Sequence, residues 1–474
     1  MRTIVMKFGG TSVDGAERIA GVADIARDFF AGKLPHAAQA ERRLVIVVSA
    51  FSGVTDALVK AARSAAARDE QTFRQVAQDL RQKHWKAIDT LIPFGDRQAD
   101  LRAQVEALVS GFENLCRAIT ILGELTPRGL DAVVSLGERL SARIVAAALI
   151  ERGIPSEAIE ATRLIVTDDC FGEAAPQLET TRQKTHEVLL PLLEQGRVAA
   201  VTGFIGATAD GVTSTLGRGG SDYSAAILGN CLDSDEIWIW TDVNGVLTAD
   251  PRIVPEAHTL PRISYNEAAE LSYFGAKVLH PKTMSPAMEK HIPIRILNTF
   301  EPLQLGTVVN TNEGNGHAVK AITAIRDLSL VTVEGRGMMG VPGIAAKVFS
   351  AVAHEGISVL MISQASSEQS ICFVIRQQDS KRAIASLNHT FELELARRDV
   401  DRIGAQNDVA IVAVVGAGMR GAPGIGAKVF GALERCGINV VSMAQGSSEY
   451  NMSLAVAQQD AHNAVRAIHQ EFEL

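Results

Sequence analysis

The sequence predicts an α/β protein in which a mostly parallel sheet with helices on both faces is followed by two small ferredoxin-like α+β units. Three observations predict it. Up to about Val309, short apolar runs such as Leu44-Val45-Ile46-Val47-Val48 and Glu236-Ile237-Trp238-Ile239-Trp240 alternate with helical periodicity, the pattern of strands covered on both faces. Next, Asn310-Thr311-Asn312-Glu313-Gly314-Asn315-Gly316 is polar and glycine-rich, the composition of a domain boundary. Finally, Gly335 to Ile375 realigns with Gly416 to Val456 at a displacement of about 80 residues, pairing Pro342-Gly343-Ile344 with Pro423-Gly424-Ile425 and Gln364 with Gln445. Each copy reads strand, loop, helix, strand, strand, helix.

Composition narrows the function. The 474 residues allow two to four domains, and 47% hydrophobic with 21% charged residues is an ordinary globular content. A formal net charge of −8 argues against nucleic acid as a partner, which needs a basic face. Five scattered cysteines without C-x-x-C spacing point to a reducing compartment and no structural zinc. With no charged-then-apolar leader and no apolar run of the ~18–20 residues that span a bilayer, the expected location is cytoplasmic, with no membrane partner.

In chain order, Thr3 to Phe8 reads as a strand and Ala16 to Phe30 as a helix. Lys7-Phe8-Gly9-Gly10-Thr11-Ser12-Val13 therefore lies at a strand-to-helix handover, where glycine N–H groups approach an anion closely. The lysine precedes the glycines, so this is not a Walker P-loop. The apolar run to Val48 delivers a second hydroxyl-rich handover at Ser49 to Thr55. Asp56 to about Leu125 reads as a covering helical layer. Val133 to Glu138 leads into a helix through Ile150, and Ser135-x-x-Glu138 also fits a capping box. Val198 to Ile205 reads as a strand and Gly206 to Ser214 as a hairpin-like turn. Leu216-Gly217-Arg218-Gly219-Gly220-Ser221-Asp222 is a second glycine loop, opening a helix from Tyr223 to Cys231. An arginine among glycines is expensive to order unless it binds something, and a guanidinium suits a carboxylate. Ser221 or Asp222 also fits an N-cap. The strand Glu236 to Trp240 delivers Thr241-Asp242-Val243-Asn244-Gly245 at its C-terminal end, the ligand side of an open sheet, although Asp242 also suits a simple turn. Asp250-Pro251-Arg252 and Phe274-Gly275-Ala276-Lys277 close the region, with an exposed surface lysine the ordinary reading of Lys277.

Gly335-x-Gly337-x-x-Gly340 and Gly416-x-Gly418-x-x-Gly421 both match the dinucleotide fingerprint. Pro-Gly intervenes before each helix, and the second copy has Cys436 at the acid position, so a small-ligand loop aided by Gln364 or Gln445 is the better reading. Two glycine loops, phosphate-directed lysines, a carboxylate-directed arginine and acids at strand ends suit phosphoryl transfer from a nucleotide to a small carboxylate. Such an acceptor is already ionised near neutral pH and needs no general base. Magnesium is expected to arrive on the nucleotide with few protein ligands.

Taken in order, Lys7 to Val13, Gly217 to Asp222, Thr241-Asp242-Val243-x-Gly245-Val246 with Asp250-Pro251-Arg252, and Phe274-Gly275-Ala276-Lys277-Val278-Leu279-His280-Pro281 resemble the aspartokinase family. The similarity is greatest to the kinase half of bifunctional aspartokinase–homoserine dehydrogenases, with no room before Leu474 for a dehydrogenase domain. The resemblance implies an amino-acid-kinase-like domain over 1–309, a linker at 310–317 and paired ACT domains. The first ACT domain, 329–396, would be inserted into the second, whose opening strand falls in 318–328 and whose remainder covers 405–474. It implies ATP and Mg2+ as nucleotide and metal, L-aspartate as acceptor and 4-phospho-L-aspartate as product, at the head of lysine, threonine and methionine biosynthesis. Lys7 and Asp222 would be catalytic. Glu138 would bind the aspartate amino group and Arg218 its α-carboxylate, with Thr55, Phe204 and Ser221 completing the pocket. Gly9, Gly10, Ser12, Thr241, Asp242, Arg252 and Lys277 would hold ATP, and Leu247 departs from the tyrosine often found at its position. Gln364, Asn439 and Gln445 would bind a feedback effector, L-threonine in preference to L-lysine. A homo-oligomer through the ACT domains is also implied. Alternatives are a kinase of the same fold acting on acetylglutamate, glutamate or a nucleoside monophosphate, and an inactive amino-acid sensor.

Overall fold

A computed structural model describes residues 2–36, 42–275, 279–312, 317–365, 367 and 369–474. The chain divides into two compact units, one of Met1–Val246, Pro261–Tyr265 and Leu279–Asn312, the other of Leu247–Leu260, Asn266–Val278 and Glu313–Leu474.

The first unit opens with β1 (Arg2–Phe8), α1 (Ala16–Phe30) and β2 (Arg42–Val48), followed by α2 (Val54–Ala66), α3 (Glu70–Leu91), α4 (Asp96–Leu122), α5 (Pro127–Val134) and α6 (Leu136–Glu151). It continues through β3 (Ser156–Ile159), β4 (Val166–Thr167), α7 (Leu178–Glu194), β5 (Val198–Thr202), β6 (Ile205–Thr208), β7 (Thr213–Thr215), α8 (Gly220–Cys231) and β8 (Glu236–Thr241). After β9 (Arg262–Ser264) and α9 (Tyr265–Tyr273), which runs into the second unit, come α10 (Pro281–Glu289), β10 (Ile294–Asn298) and β11 (Thr307–Asn310). The main sheet has the order β3-β5-β2-β1-β8-β10-β11-β9 and is parallel except between β10 and β11. A small sheet, β4-β6-β7, lies beside it.

Side-chain alternation along β1 decides what the sheet presents. Ile4, Met6 and Phe8 join Leu44, Ile46 and Val48 in the apolar cluster built with α1 to α4 and α6. Val5 and Lys7 face the opposite side, where α8 packs on β1. Two local readings differ from the sequence expectation. The strand expected over Val198 to Ile205 breaks at Gly203-Phe204, because Phe204 takes φ +67° and a Cβ on Gly203 would lie 2.7 Å from Ser221 Cβ. The capping box also fails to form: Ser135 is itself αR between α5 and α6, and its hydroxyl donates to Ala132 O.

The second unit holds β12 (Ala321–Glu334), α11 (Ile344–His354), β13 (Met361–Gln364), β14 (Ser370–Arg376), α12 (Ser380–Thr390) and α13 (Glu392–Arg397). A parallel series follows: β15 (Arg402–Val415), α14 (Ile425–Arg435), β16 (Val440–Gln445), β17 (Asn451–Ala457) and α15 (Ala461–Glu471). One antiparallel sheet, β13-β14-β12-β15-β17-β16, carries both copies of the repeat. Its two central strands are long: β12 pairs with the end of β15 through 321–325 and with its beginning through 330–334. Ala249 and Val254 are buried with Val412, Leu454 and Ile468, so the 247–260 segment shares the core of the second copy. Glu267 of α9, fully buried, pairs with Lys320 at 2.8 Å and accepts a bond from Ala417 N at 2.7 Å.

The fingerprint glycines of the repeat have a packing explanation. A Cβ on Gly335 would sit 2.3 Å from Asp399 O, and one on Gly416 would sit 2.3 Å from Ala318 O. Gly337 and Gly418 meet Asp399 Cα and Ala318 Cα at 2.5 and 2.8 Å. These glycines admit a neighbouring backbone.

Candidate active site

A cavity of about 570 Å³ opens in the first unit between the loops after β1 and β2, the start of α6 and the loop before α8. Lys7, at the end of β1 and only 9% exposed, reaches into it and lies 2.6 Å from Asp222 Oδ1. Asp222 is in the first turn of α8, where the helix dipole favours an anion. The N-cap is Gly219 in the left-handed region, with no side-chain cap bond, so neither Ser221 nor Asp222 is used as a cap.

Each glycine of the second loop has its own reason. Gly217 and Gly219 have φ of +78° and +69°, which favour glycine, whereas Gly220 has no room for a side chain: its Cβ would lie 2.6 Å from Phe204 Cδ2. Phe204 is fixed in its left-handed conformation by its N–H donating to Ser224 Oγ at 3.0 Å and its carbonyl accepting from Leu216 N–H at 2.9 Å. Phe204, Arg218, Ser221 and Asp222 all line the cavity, with the Arg218 side of the loop exposed at its mouth.

Glu138 is the unusual group. Gly137 lets α6 approach the loop after β2, since a Cβ there would be 2.6 Å from that of Ala50. Glu138 Oε1 accepts from Ala50 N at 3.1 Å, while Oε2 is buried without a hydrogen-bond partner. Burial raises its carboxyl to about 8, against the opposing pull of the Ala50 amide. A carboxyl in a cleft with one oxygen unused is prepared for a cation.

Thr55 and Gly10 also line the cavity. Gly9, Ser12, Thr241 and Asp242 do not. Gly9 N–H donates to Trp240 O at 3.2 Å, Ser12 is fully buried and shares a 2.7 Å bond with the Thr299 hydroxyl, and Thr241 Oγ1 donates to Asp242 Oδ1 at 3.3 Å. Arg252 belongs to the second unit, where it is exposed and forks onto Asp250. Lys277 lies outside the described residues.

In the second unit the repeat produces two matching cavities. Gln364 lines one of about 280 Å³ with Pro342, Gly343 and Ile344; Gln445 lines one of about 410 Å³ with Pro423, Gly424 and Ile425. Asn439 is exposed before β16 and lines neither.

Two residues that support the cleft escaped the sequence reading, Asp131 and Thr215, which bond to each other beneath the arginine loop. The available signal was a carboxylate within the apolar stretch Leu130-Asp131-Ala132-Val133-Val134. Among the described residues no three His, Cys, Asp or Glu side chains are grouped to hold a metal, and no helix is long and apolar enough to cross a membrane.

Residues 2–298 match the amino acid kinase family, and 331–391 and 412–472 each match an ACT domain. The chain is 39% identical over 476 residues to bifunctional aspartokinase/homoserine dehydrogenase 1 of Zea mays, covering 99% of this chain and 50% of that protein. It thus spans about half the length of the bifunctional relatives it matches. It is 33% identical to aspartokinase 2 of Arabidopsis thaliana, covering 99% of this chain and 84% of that one. Among solved structures, E. coli aspartokinase III in complex with aspartate and ADP superposes with a TM-score of 0.79 at 30% identity, over 100% of both chains. The complex of that enzyme with lysine and aspartate gives 0.78 at 31%, over 99% of both.

Proposed function

The chain belongs to the amino acid kinase family and, within it, to the aspartokinases, and from that premise we propose that it transfers the γ-phosphoryl group of ATP to the β-carboxylate of L-aspartate. The observation that carries this reading is Glu138, a buried carboxylate with one unpartnered oxygen in the same cavity as Arg218 and the Lys7–Asp222 pair. A ligand with an ammonium and a carboxylate on one carbon satisfies Glu138 and Arg218 together, and its second carboxylate is left for reaction.

In the proposed reaction an aspartate β-carboxylate oxygen attacks the γ-phosphorus, the bond to the β,γ-bridging oxygen breaks, and ADP leaves with 4-phospho-L-aspartate as the other product. The nucleophile is already ionised, so no side chain need take a proton. The work is alignment of two anions and neutralisation of the charge they share. Lys7 meets that charge, and Asp222 holds the ammonium in position before the phosphates arrive. Gly9 and Gly10 leave the turn after β1 open to phosphate, and Ser12 fixes that turn through Thr299. Thr55, Phe204 and Ser221 wall the acceptor side. Thr241, Asp242, Arg252 and Lys277 are proposed for ATP. Mg2+ arriving with the nucleotide would supply further neutralisation.

The two cavities of the repeat are proposed as effector sites, with Gln364 and Gln445 reading an amino acid, L-threonine in preference to L-lysine, and Asn439 as an outlying contact. Feedback by an end product of the lysine, threonine and methionine branch, assembly through the ACT domains and a cytoplasmic location complete the proposal.

Incubation with ATP, L-aspartate and hydroxylamine tests it. An acyl phosphate is trapped as the hydroxamate, and signal with aspartate but not with glutamate or acetylglutamate is the expected result. Hydroxamate from glutamate alone would move the chain to another acceptor; none from any acid would leave it a sensor.

A further inference from the structure

We infer that Asp131, which does not line the cavity, is a positioning residue that sets where Arg218 stands relative to Glu138 and so fixes the length of acceptor the cleft accepts. The inference rests on the reading of the cleft as an amino-acid acceptor site.

Asp131 sits in α5, 1% exposed, and its carboxylate accepts three bonds. Oδ2 takes the amides of Gly172 and Thr215 at 2.9 and 2.8 Å, and Oδ1 takes the Thr215 hydroxyl at 2.8 Å. Thr215 is the last residue of β7, and its carbonyl in turn accepts from Ala174 N at 2.9 Å. Its N–H, hydroxyl and carbonyl are therefore all committed. Two residues on, Gly217 presses against the same 172–173 segment, with 3.2 Å between its would-be Cβ and Gly172 O. Arg218 is the next residue, so its Cα hangs from a backbone that Asp131 anchors at both 172 and 215.

The other half of the clamp is the helix itself. Ser135 is αR, so α5 passes into α6 without an extended break, and Glu138 follows Asp131 by seven residues, about two turns. One helical run thus supplies the ammonium ligand directly and the carboxylate ligand through Thr215. Arg139, beside Glu138, adds a second tie by donating to Thr213 Oγ1 at 3.2 Å while paired with Glu160. Burying a carboxylate here is costly, and its bonds go to two amides and a hydroxyl that a loop of this kind otherwise leaves to water. Such a group stabilises one geometry of the loop at the expense of all others.

Asp131→Asn keeps the shape but removes the charge, leaving one neutral oxygen for the amides of Gly172 and Thr215 and an N–H2 that can only donate to the Thr215 hydroxyl; Thr215→Val removes only the hydroxyl bond, and Thr215→Ser keeps it. The expected result for Asp131→Asn is a KM for L-aspartate raised about tenfold or more, with KM for ATP within about twofold of wild type. Thr215→Val should give a smaller rise of about threefold and Thr215→Ser should restore the wild-type value. Equal rises in both KM values, or a fall in kcat alone, would overturn the positioning role. If Asp131→Asn does not fold by circular dichroism, the Val and Ser pair at 215 decides the question by the same split. Absence of hydroxamate from wild-type protein with aspartate would instead fail the acceptor reading itself, and with it this inference.

Discussion

The arginine loop before α8 and the two loops of the C-terminal repeat are both written in glycine, and they use it for opposite ends. In the first unit, Gly217 and Gly219 turn the chain and Gly220 makes way for Phe204, and the result is a wall of charged side chains: Lys7, Asp222 and Arg218 beside Glu138. In the repeat, Gly335 and Gly416 make way for backbone, Asp399 and Ala318, and the result is a tight junction between strands. Only the neighbours tell a glycine that shapes a cavity wall from one that admits a backbone. The contrast predicts that damage at the arginine loop appears in kinetics and damage at Gly335 or Gly416 in stability.

The largest effect expected is at Lys7. On the proposed reaction, in which Lys7 meets a charge greatest during transfer, Lys7→Ala should lower kcat by about three orders of magnitude or more with little change in either KM. A near-normal kcat with a raised KM would place Lys7 in ground-state binding. Next is Glu138→Gln, expected to raise KM for L-aspartate by about 10- to 100-fold, the value of one charged hydrogen bond. pH sharpens this test. Only ionised Glu138 pairs with an ammonium, so wild-type kcat/KM for aspartate should climb toward about pH 8, and the Gln variant should lose that limb. The same group affects folding. With its carboxyl raised from 4.5 to about 8, the native state holds a proton that the unfolded chain has lost, so Glu138 makes stability fall as pH rises through that window. Urea midpoints of wild type minus Glu138→Gln, taken from pH 5 to 9, should trace the fall.

In the repeat, Gly416→Ala should cost about 2–4 kcal/mol of stability by forcing Cβ against Ala318 O, lowering the thermal midpoint while kcat of the folded fraction stays near wild type. A kinetic defect without a stability defect would erase the distinction between the two regions. The smallest effect on basal behaviour is expected at Gln364→Ala, which on the proposed effector reading should relieve inhibition by L-threonine and leave uninhibited turnover unchanged; titration of hydroxamate formation with threonine, in wild type and variant, measures it.

Much of the fold was legible because strands buried on both faces must be continuously apolar, as Leu44 to Val48 and Ile237 to Trp240 are. The meeting of Lys7 with Asp222 was not, since it depends on which face of β1 the lysine occupies and on α8 packing against that face. Ser135-x-x-Glu138 illustrates a local pattern losing to tertiary structure: α5 runs on through Ser135, which frees the carboxylate to reach Ala50 instead of its own helix end. Gly203-Phe204 is a second case, a strand that ends at a left-handed Phe204 held by Ser224 and Leu216. Asp131 left little trace, because a buried acid looks like a surface one until its partners, 41 and 84 residues away, are known.

The two long strands at the centre of the repeat have a consequence for how such a protein changes over generations. β12 serves one copy with its first residues and the other with its last, and β15 does the same in reverse. Two modules in simple tandem are lost or gained one at a time, but here excising either copy strips half a strand from the survivor and uncovers a ladder of unpaired N–H and C=O groups. Interlocked in this way, the pair is a single heritable part: substitutions can change either pocket alone, but a deletion cannot remove one copy and leave the other with its sheet intact.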